Sequence, residues 1–138
     1  MTVVEFYNTL LRHYFRTASS AEAANIDAGK AGPGWFRTGD NFYAYAAGTN
    51  GSGVNVCRFY TFLANSHFYT GNGTECNGLK APASGWVYEG IAFRTPVPAG
   101  ASCAVWEFPV YRLFNNRFRT YNDSNHRFTT MFSSTTRA

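Results

Sequence analysis

Three histidines, three cysteines and a few carboxylates are the residues of this 138-residue chain that could do chemistry beyond packing. His13, His67 and His126 fall at corresponding places of an internal repeat, so they could act as ligands or acid-base groups at three related sites. We favour the plainer reading, in which each imidazole bonds to a loop carbonyl while its ring packs beside the next aromatic. Glu22 and Glu75 follow their histidines by nine and eight positions, and Asp40 and Glu89 lie near strand ends. Two such carboxylates could cleave a glycosidic bond, but the sequence fixes no separation between them, and solvating or turn-capping roles are favoured. No Gly-x-Ser-x-Gly elbow, phosphate loop or dinucleotide fingerprint is present. We therefore expect a non-enzyme that needs no cofactor.

The cysteines are Cys57, Cys76 and Cys103. Without a Cys-x-x-Cys pair they do not suggest zinc. Cys57 and Cys76 flank the His67 strand within one repeat, and a Cys57 to Cys76 disulfide is expected there. Cys103 lies in a connection and is left over, as a buried thiol or with a partner outside these residues.

The elements that would position these groups are repeated. Val56-Cys57-Arg58-Phe59-Tyr60 returns as Val3-Val4-Glu5-Phe6-Tyr7, 53 residues earlier, and as Val110-Tyr111-Arg112-Leu113-Phe114, 54 residues later. Gly34-Trp35 through Phe42 matches Gly85-Trp86 through Phe93, with seven residues from Trp to Phe in both. Ser19 and Glu22 have capping-box spacing, and the alanines up to Gly29 predict a short helix near 20 to 28. Turn formers at 48–53 and 96–100 join units of about 3–54, 55–108 and 109–138 within one domain. One unit of short aromatic strands cannot bury its own face, so three units must pack together. The third has no Gly-Trp segment before Ala138, so either the chain is truncated or something else, such as another chain, completes the unit.

Composition agrees with a β module. Aromatic residues make up 18% and charged residues 14%, and net charge is only +4. That excess does not predict nucleic-acid binding, for which Arg112, Arg117, Arg119 and Arg127 with Phe118 and Tyr121 would have to form one face. No run of about 18 apolar residues suggests a membrane span. The N-terminus shows no signal-peptide pattern; Met1 stands directly before a repeat strand, as in a piece of a longer protein.

The pattern Arg58-Phe59-Tyr60, Ser66-His67-Phe68-Tyr69-Thr70, Gly85-Trp86-x-Tyr88-Glu89-Gly90-x-Ala92-Phe93, then Asn125-His126-Arg127-Phe128-Thr129-Thr130, resembles a bacterial repeat-domain family of unknown function. The resemblance implies an all-β, β-trefoil-like domain of pseudo-threefold repetition, attached to secreted enzymes and surface proteins. It supplies no catalytic residues.

From the fold analogy and the aromatic, Asn-rich loops we expect a secreted, non-catalytic module whose partner is a glycan or cell-surface polymer. Its expected ligand residues are Tyr43, Tyr45, Tyr88, Trp106, Asp40 and Glu89. Trp35 and Trp86 recur at fixed spacing and are assigned to the core. The alternative is a structural, protein-interacting module without a small-ligand site.

Overall fold

The computed structural model describes residues 1–49, 53–98, 100, 102–115 and 124–131. Among these residues the fold is all-β with two short helices. In chain order it runs β1 (Thr2–Asn8), β2 (His13–Thr17), α1 (Ser20–Asp27), β3 (Trp35–Tyr43), β4 (Val54–Thr61), β5 (Ser66–Thr70) and α2 (Gly73–Leu79). A 3-10 turn at Pro82–Ser84 then leads to β6 (Val87–Thr95), β7 (Tyr111–Phe114) and β8 (His126–Thr129). Neither helix is long and apolar enough to cross a membrane.

The strands form three small antiparallel sheets, ordered β2-β1-β3, β5-β4-β6 and β7-β8. Sheets one and two share one plan: a hairpin whose first strand lies in the middle, a helix, then a third strand on the far edge. Their registers match, with Val3 opposite Phe42 and Val56 opposite Phe93. Among the described residues no ladder runs from one sheet to the next, and an isolated bridge between Tyr45 and Arg94 links the end of β3 to β6. The sheets instead meet where β2, β5 and β8 pack against one another.

Local sequence explains the helices. The Ser19 hydroxyl accepts from the Glu22 N–H at 3.2 Å, and Asn72 Oδ1 accepts from the Glu75 N–H at 3.0 Å, each satisfying a first-turn donor. The first helix follows the expected cap; the second was hidden by Gly73 and Gly78, poor helix formers whose cost its cap and disulfide offset. The strand ends share another device. Thr17, Thr70 and Thr129 each turn a hydroxyl back to accept from the N–H two residues on, at 2.9, 3.0 and 3.0 Å.

The core is built from corresponding residues. Phe6 and Phe15 pack on Ala23 and Ile26 of α1, while Phe59 and Phe68 pack on Cys57 and Cys76. Trp35 lies edge-on to Phe15 at 6.2 Å, and Trp86 contacts Phe68 at 5.6 Å. Both tryptophans thus flank the core in the same way. A third cluster, Val3, Ala44, Val56, Tyr69 and Phe93, joins the first two sheets.

Cys57 and Cys76 form a disulfide with Cα atoms 6.1 Å apart, tying β4 to α2, and Cys103 is a free thiol. The matching residues of sheet one, Val4 and Ala23, are held in one cluster by packing alone. The double replacement Cys57→Val with Cys76→Ala copies that solution. It should leave the fold intact and lower unfolding free energy by about 3 kcal/mol, the chain-entropy value for a loop of roughly 20 residues. Denaturant unfolding with circular dichroism checks both parts.

Candidate functional site

The seams between sheets hold a recurring set of charged residues. Glu5, Arg58 and Arg112 occupy the same rung of their sheets, opposite Arg16, Tyr69 and Phe128. Arg58 lies over the Phe15 ring at 5.1 Å and pairs with Glu22 of α1 at 2.9 Å. Arg112 lies over Phe68 at 5.0 Å and pairs with Glu75 of α2 at 2.9 Å. Each cation therefore clamps the unit before it, through a face-on ring contact and a carboxylate.

At the remaining seam the signs change. Glu5 is fully buried and accepts from Arg127 of β8 at 3.0 Å, from Arg16 at 3.0 Å and from the Thr38 hydroxyl at 2.7 Å. Arg16 also donates to Asp40 at 2.6 Å and, through Nε, to the Phe128 carbonyl. Asp40 further accepts from the Thr129 hydroxyl at 2.6 Å. Asp40 is thus spent inside the protein, which corrects its expected place among ligand-binding residues. A buried carboxylate needs its partners, and here it has them.

Between sheets one and two lies an open polar cleft of about 230 Å³, lined by Thr17, Ser19, Glu22, Arg58, Glu89 and the backbone from Gly90 to Ala92. Register shifts opposite Glu5 and Arg58 bulge β3 and β6, and Gly39 and Gly90 carry the positive φ values, +86° and +114°, that the bulges need. The bulges turn Thr38 toward Glu5 and Glu89 toward Arg58, the latter pair 2.8 Å apart. His67 Nε2 lies 3.4 Å from Glu89. Burial raises the Glu89 pKa, but the hydrogen bond from His67 and the charge of Arg58 outweigh it, so the group sits below its ordinary value. The cleft can offer charged and hydroxyl hydrogen-bonding groups to a polar ligand. Among the described residues no three His, Cys, Asp or Glu side chains gather as a metal set.

The six expected ligand residues do not converge. Tyr43 is 83% exposed at the end of β3, and Tyr45 is exposed two residues on, with buried Ala44 between them. Only Glu89 of the six lines the cleft. Tyr88 packs on Phe59 at 5.2 Å beneath the Lys80 ammonium, and Trp106 is 91% exposed on a turn after Cys103. Of the basic face that nucleic-acid binding would need, Arg112 and Arg127 are engaged with Glu75 and Glu5, while Arg117, Phe118, Arg119 and Tyr121 lie outside the described residues. Arg58, Arg112 and Arg127 were missed as seam residues. The signal was available: Glu22 and Glu75 precede Arg58 and Arg112 by 36 and 37 residues.

The histidines require a further correction. His67 and His126 are equivalent, lying opposite Tyr60 and Phe114, but His13 lies opposite Asn8, where sheet two has Thr61 facing Ser66. The position matching His67 in sheet one is Tyr14. His126 stacks on Phe114 at 4.5 Å and touches Phe68 at 5.0 Å and Trp86 at 6.3 Å. Burial, then the charge of Arg112, pushes its pKa down to about 4 against a weaker opposing effect of Glu75.

Between pH 6.5 and 4 the unfolded chain therefore binds a proton at His126 that the folded protein refuses, so acidification through that window destabilises. His126→Phe keeps the ring stack and should flatten that part of the stability profile, which spans up to about 3 kcal/mol at 1.36 kcal/mol per pKa unit. Glu89, held below its ordinary value near 4.5, loses its contribution only as the pH falls further, through its lowered pKa. Melting temperatures of both proteins from pH 7 to pH 4 check this.

Comparison with known proteins yields one family. The family model described as "Domain of unknown function (DUF5648)" matches residues 2–138. No curated protein and no solved structure matches the chain. With the match spanning all but the first residue, this chain belongs to the DUF5648 family.

Proposed function

We propose that this chain is a non-catalytic module that attaches a secreted protein to a carbohydrate or cell-surface polymer. The observation that carries the reading is the Tyr43 and Tyr45 pair. Strand alternation turns Ala44 into the core and both rings to solvent, roughly 7 Å apart along the chain. Two neighbouring rings on a rigid edge suit the C–H faces of successive sugar units. Polar groups lie nearby: Tyr45 bridges to Arg94, two residues beyond the Ala92 rim of the polar cleft. The Cys57 to Cys76 disulfide fits an oxidising compartment, and secretion is part of the proposal.

In this reading the three sheets are three copies of one unit around a pseudo-threefold axis. They are trefoil-like in repeat number rather than in a shared barrel. A shallow platform binds weakly, at around millimolar to micromolar, or roughly 4 to 8 kcal/mol, and retention comes from several copies acting together. The alternative of a protein-interacting module draws on Val105, Trp106 and Phe108, which are exposed together on one turn.

The test is retention on immobilised polysaccharides. Tyr43→Ala and Tyr45→Ala should each reduce retention at least about threefold, and the pair should abolish it, with the melting temperature shifted by no more than about 2 °C because surface changes cost little. Wild-type retention on no glycan at high concentration, or full retention by the double variant, would sink the reading. Loss of a protein partner on Trp106→Ala would favour the alternative.

A further inference from the structure

We infer that the apolar pocket where the three sheets meet is a docking site for an aromatic side chain, carried on an extended strand of a partner polypeptide. The pocket has a volume of about 230 Å³, and its walls include Phe42, Val56, Tyr69, Phe93, Val110 and Phe128. Its walls share no residue with the polar cleft and include neither Tyr43 nor Tyr45, so its occupancy is tested separately from the glycan reading.

The repeat defines the occupant. In sheet one β3 lies beside β1 and sets Phe42 opposite Val3; in sheet two β6 lies beside β4 and sets Phe93 opposite Val56. The two phenylalanines meet edge to face at 5.6 Å in the pocket wall. Val110 corresponds to Val3 and Val56 in sequence, yet it is 39% exposed where they are 0% and 5% exposed. Among the described residues the third sheet holds only β7 and β8. A strand laid antiparallel on β7, in the register that β3 and β6 use, brings its aromatic residue opposite Val110 and against Phe42 and Phe93. Edge addition of this kind draws affinity from main-chain hydrogen bonds and selectivity from one side-chain pocket.

The ligand class is therefore an extended peptide with an aromatic residue. The sequence Gly-x-x-Phe, shared by Gly39 to Phe42 and Gly90 to Phe93, gives its pattern.

The probe is a labelled peptide with the sequence of residues 86–95, titrated with the 138-residue protein and followed by fluorescence anisotropy. Saturable binding is expected. Phe93→Ala within the peptide should weaken it at least about tenfold, as for an anchor residue, and this arm needs no change to the protein. Val110→Trp, at an exposed position, should fill the pocket and abolish binding while leaving the melting temperature unchanged. No saturable binding at millimolar peptide would overturn the inference, and so would equal binding of the alanine peptide. Concentration-dependent dimerisation that Val110→Trp removes and the peptide does not compete with would overturn it in favour of a second copy.

Discussion

The buried charge network of Glu5, Arg16, Asp40 and Arg127 is the constraint on which the arrangement of the three sheets depends. Glu5 belongs to β1, Arg16 to β2, Asp40 to β3 and Arg127 to β8, so one cluster fastens all of sheet one to sheet three. Its charges are almost fully removed from water, and only mutual pairing with added hydroxyl and carbonyl bonds offsets that cost. Breaking such a cluster leaves an uncompensated charge, which typically costs about 3–5 kcal/mol. The tyrosine beside it acts the same way without charge. Tyr69 of β5 accepts from the Arg16 N–H at 3.0 Å and donates to the Arg16 carbonyl at 2.7 Å. Burial drives its phenol well above the ordinary value, so it keeps the proton that it donates.

A single rule covers the three seams. The third residue of each repeat's opening strand motif meets the preceding hairpin, as cation over ring at Arg58 with Phe15 and Arg112 with Phe68. At Glu5 the rule is kept by exchange, because Arg127 stands on the rung that Phe15 and Phe68 occupy elsewhere. Two departures from the repeat therefore compensate each other. The polar cleft is a by-product of this geometry, since Glu22 of α1 and Glu89 of β6 both pair with Arg58. The platform of Tyr43 and Tyr45 depends on it more loosely, through the burial of Ala44 against the shared core.

Much of this was legible in the sequence. The period of the valine-led strands, the Ser19 cap, the paired cysteines and the equal Trp to Phe spacings each rest on local patterns that tertiary packing did not override. What escaped was register. The 53-residue offset sets His13 against Ser66 and Tyr14 against His67, and the hairpin registers keep it, so matching the histidines by residue type alone slipped by one rung. The bulges at Gly39 and Gly90 were likewise unread, so Asp40 was taken for a surface carboxylate although the kinked strand directs it to Arg16. The breaks in pattern at Glu5 and Arg127 carried the missing information, because only spatial contact makes two charge changes 122 residues apart into a pair.

The account stands most directly on the coupling between those two residues. A double-mutant cycle of Glu5→Gln and Arg127→Met, read by urea unfolding at pH 7, measures it without assigning a whole energy to either side chain. If the pair closes sheet three onto sheet one, the coupling should exceed about 1 kcal/mol, as for residues in one buried network. Free energies that add to within about 0.3 kcal/mol would show that the seam is held by something else and would contradict the account.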